Sequence, residues 1–157
     1  MTPVGVPVVL RDFFDGHDLE RKQNLAAEVL TVTEDGWPHA AMVSAGEVLL
    51  TGKAGVRLAL WPASRTTANV VRTGRAVLLV VLGGGSYRLR LSLAEVRPEE
   101  EGGPLTFFTG TVVDVSEDRA KYATLKGGLE FSLLDAGTTL ARWADTTRML
   151  RRLPAGE

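Results

Sequence analysis

Four adjacent side chains in this sequence could hold an anion together. Ser64, Thr66 and Thr67 supply hydroxyl groups and Arg65 supplies a guanidinium, within the stretch WPASRTTANVVRTGRA at residues 61–76. The first N–H groups of a helix have no partner inside it, and the helix dipole places roughly half a positive charge there. Arginine adds a planar pair of donors that matches phosphate oxygens. A helix that begins at Ser64 would therefore form a phosphate site.

Helix capping is the competing interpretation of the same residues. Ser64 is a natural N-cap and Gly74 suits the position after the last turn, so the pattern predicts a helix over residues 64–74. A serine cap contributes about 1 kcal/mol whether or not a ligand binds, and Arg65 would then be a solvated surface residue. A charge-assisted hydrogen bond contributes more, roughly 1.5–3 kcal/mol. Capping accounts for Ser64 but not for the Arg-Thr-Thr that follows, and both interpretations stay open.

The elements that must position this helix are mainly strands. The turn EDG at residues 34–36 places Gly where a hairpin needs a positive φ. The run AVLLVVL is apolar at every position, so we expect it to be covered on both faces. Apolar or alternating segments predict strands at residues 24–33, 37–43, 47–52, 56–61, 76–82, 87–96 and 105–115. Five or six of these, joined by short turns, predict a mainly β fold with an antiparallel barrel.

Helices are few in this sequence. Besides the segment that starts at Ser64, we predict a short helix over residues 17–24 and a C-terminal helix over residues 137–153. The C-terminal helix has an apolar stripe that would cover the barrel or a partner, formed by Leu140, Trp143, Thr147 and Leu150. No repeat or long linker divides the chain, so residues 1–157 are predicted to form one domain.

Composition excludes several classes of function. The chain has 157 residues, a formal net charge of −1 and no cysteine. Its charge does not favour nucleic acid as a partner, and the missing thiols exclude disulfides, zinc–thiolate sites and cysteine catalysis. No apolar run approaches ~18 residues and the N-terminus does not resemble a signal peptide, so we expect a cytoplasmic protein without membrane spans. With only His17 and His39 present, we predict no metal site and identify no catalytic residue.

The order of these segments resembles the flavin-binding split-barrel family related to pyridoxamine 5′-phosphate oxidase. An acidic-Gly hairpin is followed by Pro-His, and a Ser-Arg helix start leads into an Asn-hydrophobic-x-Arg-x-x-Arg-Ala stretch. That stretch is matched by Asn69, Val70, Arg72, Arg75 and Ala76. The resemblance covers about residues 18–115, and the C-terminal helix fits it. It implies a six-stranded antiparallel split β-barrel with a few short helices, and a homodimer that holds FMN in a groove between its subunits.

The resemblance also implies which residues hold the cofactor. The FMN phosphate would meet the helix start, at Ser64, Arg65, Thr66 and Thr67. The isoalloxazine ring would lie along the strand that ends at Leu60 and Trp61, with its edge near Val43 and Ser44. The second subunit would complete the pocket with Tyr87, Arg88 or Trp143. Bound flavin would exchange hydride or electrons with a small-molecule substrate, which the residues do not identify.

Two departures from the family's pattern keep other functions open. Thr66 stands where many members carry a second basic residue, and the C-terminal TRMLRRLPAGE lacks the histidine of authentic pyridoxamine phosphate oxidases. An FMN-dependent oxidoreductase other than that enzyme is the favoured interpretation. One alternative is the same fold with the deazaflavin coenzyme F420 or with haem, for which the two histidines are the available axial ligands. Another is a dimeric binding or sensing module without a cofactor.

Overall fold

One curled antiparallel sheet of seven strands forms the body of the molecule. We analysed a computed structural model that describes residues 5–99 and 103–154. The strands are β1 (Ala27–Val32), β2 (Pro38–Val43), β3 (Val48–Thr51), β4 (Gly55–Leu60), β5 (Arg75–Leu82), β6 (Gly85–Val96) and β7 (Thr106–Asp118). Their order across the sheet is β2-β1-β5-β6-β7-β4-β3. The predicted mainly β, split-barrel fold is confirmed, and all seven segments predicted as strands form strands of one sheet, whereas the barrel was expected to use five or six of them.

Glycines with positive φ allow the turns of two hairpins. Gly36 has a φ of 90° in the turn between β1 and β2, as the sequence predicts. Gly83 and Gly84 have φ values of 57° and 83° between β5 and β6, where Leu82 pairs with Gly85 across a two-residue loop. A side chain at these positions would be strained, since positive φ is costly for residues with a Cβ atom. The turns therefore set the register of both hairpins.

The larger of two hydrophobic core clusters lies on one face of this sheet, and a smaller one lies between the other face and the C-terminal helix. Val29, Leu58, Leu78, Leu89 and Phe108 come from five different strands and are fully buried in the same cluster. Along β5, by contrast, the side chains of the opposite face are only half-buried: Val77, Leu79 and Val81. The expectation that AVLLVVL is covered on both faces is therefore wrong for the single chain. Burying the second face of β5 requires something outside the chain described here.

Helices close the ends of the sheet. Helix α1 (Val8–Phe13) was not predicted, because two prolines interrupt its apolar run, yet it places Leu10 in the core. The predicted helix over residues 17–24 is a short 3-10 turn at Leu19–Lys22. Helices α2 (Arg65–Thr73) and α3 (Ala136–Arg151) lie where the sequence predicts them. Gly74 ends α2 with a φ of 68°.

Helix α3 packs against β3 and β4 through the stripe that the sequence predicted. Trp143, Thr147 and Leu150 are buried, and Leu140 is partly buried. The indole of Trp143 lies directly on the backbone of Gly46, so that a Cβ atom at residue 46 would collide with the ring. The side-chain hydroxyl of Thr147 donates to the Trp143 carbonyl at 3.0 Å. The glycine thus makes room for the largest side chain of the helix.

Gly46→Ala should destabilise the fold by roughly 1–3 kcal/mol, because the added methyl group meets the rigid base of the Trp143 side chain. Urea unfolding at pH 7 measures this free energy. Gly137→Ala, in the first turn of α3, is the matched control. Apart from its chain neighbours and the helix backbone, the nearest contact of a Cβ atom there is Asp135 Oδ1 at 3.9 Å, so the added methyl group fits without a collision. Equal stability of the two variants would contradict the proposed packing.

Candidate functional site

Helix α2 begins as a well-capped helix. Ser64 Oγ accepts a hydrogen bond from the Thr67 N–H at 3.1 Å and lies 3.0 Å from Thr67 Oγ1. The Thr67 hydroxyl donates to the Trp61 carbonyl at 2.6 Å. Capping thus accounts for Ser64 and also for Thr67, which the sequence interpretation left unexplained. The hydroxyl groups of both residues are already engaged within the chain.

Other donors at this helix start have no partner among the described residues. The Arg65 side chain is exposed and forms no hydrogen bond or ion pair within residues 5–99 and 103–154. Thr66 is 2% exposed, and its Oγ1 atom is buried without a hydrogen-bond partner there. The first turn of α2 contains no acidic residue. A buried unsatisfied hydroxyl costs about 1–3 kcal/mol, so this one calls for an explanation.

The four predicted phosphate contacts do not all face the same way. Thr66 lies on the helix face of Asn69 and Val70, three and four residues further on, and all three are buried. Arg65 points away from the core. The structure therefore provides one free cation on the outside of the helix start and one free hydroxyl on its inner side.

A buried polar network holds α2 against β1. Asn69 Nδ2 donates to Thr31 Oγ1 at 3.0 Å, and both residues are 4% exposed. The Arg72 guanidinium donates to Asn69 Oδ1 at 3.1 Å and to the Val32 carbonyl. Two members of the matched Asn-hydrophobic-x-Arg stretch therefore anchor the helix to the sheet. They determine where its N-terminus lies.

The predicted ring contacts differ in how much surface they offer. Leu60 and Val43 are buried in the core, and Ser44 is 2% exposed. Ser44 Oγ donates to Glu47 Oε1 at 2.7 Å and accepts from the Gly46 N–H at 3.1 Å. Trp61 is 46% exposed, with the Arg142 guanidinium 5.5 Å from its ring centroid. Of these residues, Trp61 presents a surface to a ligand.

The three residues predicted to reach a second subunit differ in their exposure and in the direction of their side chains. Tyr87 points into the core and is 6% exposed, while Trp143 is buried under α3 within its own chain. Arg88 points to the other face of β6, is exposed and donates to Ser116 Oγ at 3.3 Å. Alternation along the strand sends neighbours to opposite faces, so Tyr87 and Arg88 could not both face a partner. Arg88 is the residue that the fold leaves available, and the cofactor contacts of all three stay predictions.

Glu47 is a partly buried carboxyl group that the sequence interpretation missed. Its Oε1 accepts from the Ser44 N–H at 3.0 Å as well as from the Ser44 hydroxyl. Burial raises the pKa of Glu47, and the Ser44 hydrogen bonds and the charge of Arg142 offset only part of that effect. One signal was present in the sequence: Glu47 interrupts an otherwise apolar run, where a charged side chain is expensive to bury.

Stability should fall as the pH rises through the titration of Glu47. Its pKa in the folded state lies above the ordinary value of 4.5, so the folded protein retains a proton that the unfolded chain has lost. Glu47→Gln keeps an acceptor for Ser44 without the charge, and should be more stable than the wild type at pH 7. Urea unfolding between pH 4 and pH 8 measures the free energy of unfolding. The contribution of Glu47 to it should decline above about pH 4.5 in the wild type, and the variant should lack this decline. The same substitution at the exposed Glu20 is the control, and identical pH profiles for wild type and Glu47→Gln would contradict this assignment.

Solved structures with the same fold support the split-barrel class. A candidate pyridoxamine 5′-phosphate oxidase from Lactobacillus delbrueckii superposes with a TM-score of 0.56 at 11% identity, covering 71% of this chain and 93% of that one. HupZ of Group A Streptococcus gives 0.54 at 14% identity, covering 81% and 99% of the two chains. The fold is that of split-barrel proteins like pyridoxamine 5′-phosphate oxidase.

Sequence comparison assigns the chain to a family. It is 39% identical over 144 residues to YclD of Bacillus subtilis, an uncharacterized protein, with 91% of this chain and 94% of that one aligned. The chain belongs to the YclD family. No family model matches the sequence. Among the described residues, no helix has the length and apolar character needed to cross a bilayer, and no three His, Asp or Glu side chains are grouped to hold a metal ion.

Proposed function

We propose that the protein binds FMN with its phosphate at the N-terminus of α2 and acts as a homodimeric, flavin-dependent oxidoreductase of the cytoplasm. The observation that carries the proposal is the set of free donors there: the exposed Arg65 side chain and the buried, unpartnered Thr66 hydroxyl. No acidic side chain occupies the first turn. A phosphate group at the helix start would pair with Arg65 and gain from the helix dipole, and it would bond the Thr66 hydroxyl only if it also reached the inner side of the helix.

The residues present fit a phosphate-bearing flavin. Arg65 would pair with the phosphate, and the exposed indole of Trp61 would lie beside the ring. Ser64 and Thr67 would act through the cap, because their hydroxyl groups are already used. Flavin supplies hydride and electron exchange when it is bound, and the protein supplies position and polarity. The candidate pyridoxamine 5′-phosphate oxidase among the proteins of this fold is compatible with a flavin-type cofactor.

The alternatives differ in their spectra. F420 also carries a phosphate that could occupy the helix start. Haem would need an axial ligand, and of the two histidines, His39 is partly buried on β2 and His17 is exposed. Absorbance of protein purified from its own host distinguishes flavin, deazaflavin and haem. A colourless protein that does not bind added FMN would favour a binding or sensing module without a cofactor.

The uncovered face of the sheet supports a second subunit. Met42 is 63% exposed, Val32 and Val113 are each 50% exposed, and the outer side chains of β5 are half-buried beside them. Exposed apolar side chains grouped in this way favour an interaction site, although Glu28 lies between Met42 and Leu79. Burying it in a two-fold dimer would also give β5 the second cover that its sequence predicts.

Arg65→Ala should weaken FMN binding about thirtyfold, or about 2 kcal/mol, because a charge-assisted bond to the phosphate is lost. Riboflavin lacks the phosphate, so its affinity should not change. Fluorescence titration of wild type and variant with both flavins gives the four dissociation constants. Arg21→Ala, an exposed arginine on the 3-10 turn, is the control. Equal losses for FMN and riboflavin would show that Arg65 does not contact phosphate.

Thr66→Val tests the buried hydroxyl separately. Valine has nearly the same shape, so removing an unsatisfied polar group should stabilise the ligand-free protein by about 1 kcal/mol. If the hydroxyl binds the ligand, FMN affinity should fall about tenfold. Thr67→Val is the matched control, and it should destabilise the protein because it removes the bond to the Trp61 carbonyl. Unchanged FMN affinity in Thr66→Val would exclude Thr66 from the site.

A further inference from the structure

The tip of the β1–β2 hairpin presents an exposed tryptophan on a rigid turn. Trp37 is 70% exposed. The backbone N–H of Trp37 donates to Thr33 Oγ1 at 2.9 Å, and the backbone carbonyl of Trp37 accepts from the Thr33 N–H at 2.8 Å. The Thr33 hydroxyl in turn donates to Asp35 Oδ1 at 2.6 Å. Because these bonds already fix the backbone of the turn, little backbone freedom is lost when Trp37 binds a partner.

A groove of about 910 Å³ opens on the outer face of the sheet. Its apolar lining includes Leu30, Val32 and Val77, and Arg75 and Arg90 also line it. These residues come from β1, β5 and β6, on the face that the chain leaves uncovered. The groove has room for an indole ring, and its two guanidinium groups could stack on such a ring.

Tip and groove belong to the same corner of the molecule. Val32 and Pro38 line the groove, and they pair with each other at the base of the turn that carries Trp37. A two-fold interface requires one surface that contains both a projecting group and the site that receives it. This hairpin satisfies that requirement, since each copy could insert its tip into the groove of the other.

The charges of the two surfaces are complementary. Glu34 and Asp35 are exposed beside Trp37 at the tip. The groove lining holds Arg75 and Arg90 and no acidic residue, and neither arginine forms an ion pair within the part of the chain that the structure describes. An acidic tip with an aromatic side chain therefore meets a basic, apolar groove. Opposite potentials of this kind favour one orientation of association.

We propose that hairpin tip 33–37 of each subunit docks into the outer groove of a second copy of this chain, with Trp37 as the anchor. The proposal rests on the homodimer in the proposed function and adds which surfaces meet. Two identical Trp37 contacts would bury the exposed apolar residues of β1 and β5. They would also pair the acidic tip with Arg75 and Arg90.

Trp37→Ala should raise the dissociation constant of the dimer at least about thirtyfold, as expected for a central aromatic anchor. Sedimentation velocity over a dilution series of the full chain measures it. Tyr122→Ala removes an aromatic side chain that is 94% exposed and lies outside the tip and the groove, and it should leave the constant unchanged. Circular dichroism and urea unfolding check that both variants keep the fold.

A charge exchange identifies the two surfaces directly. Glu34→Lys and Arg75→Glu should each dissociate when purified alone, because like charges then meet at both contacts. Mixed together, they should form a dimer again, since lysine at the tip of one meets glutamate in the groove of the other. Failure of the mixture to associate, or unaltered dimers of the single variants, would overturn the docking.

The outcomes separate this inference from the proposed function. A wild-type dimer whose dissociation constant is unchanged by Trp37→Ala would overturn the hairpin docking alone. A wild-type chain that is monomeric at micromolar concentration would overturn the docking and the homodimer together. Its FMN and riboflavin affinities would then decide separately whether the phosphate site at α2 exists.

Discussion

The attachment of α2 to β1 is the constraint on which the candidate site depends. Asn69 donates to Thr31 in the interior and Arg72 donates to the Val32 carbonyl at the surface, so one buried and one exposed hydrogen bond fix a nine-residue helix to the sheet. A helix this short would not be stable alone in water. Its N-terminus can present donors at a defined place because the sheet holds the rest of it. Strand β1, which holds this helix, also leads into the β1–β2 hairpin that we assign to dimer contact. Both proposals therefore depend on the position of β1.

Most of the fold could be predicted because local chemistry and tertiary packing agree. Ser64 and Gly74 bound α2 where capping rules place them, and Gly36 turns the first hairpin at positive φ. Helix α1 escaped prediction because its pattern is short and follows a proline, and its stability comes from burying Leu10. The sequence predicted all seven strand segments, including the four-residue β3, but not that all seven join one sheet, because pairing depends on contacts between distant segments.

The site was less predictable because residue type does not reveal direction. Thr66 faces the interior while Arg65 beside it faces solvent, and a helical turn decides this rather than composition. Tyr87 and Trp143 were predicted to reach a partner, yet both fill their own core. Glu47 was not singled out from the sequence, yet its pKa is raised because β3 and α3 fold close to it and bury it. Adjacent donors in the sequence predicted an anion site, but not that Arg65 and Thr66 lie on opposite sides of the helix.

The unmatched hydroxyl of Thr66 has a consequence for the life of the protein in a cell. The folded state is less stable with this hydroxyl unsatisfied than with a bound ligand that forms a hydrogen bond to it. Ligand binding to the folded state alone shifts the unfolding equilibrium by mass action, and small shifts change how much protein escapes proteolysis. If the coenzyme binds there as proposed, the abundance of the protein would follow the supply of the coenzyme, and copies made in excess of it would be removed first.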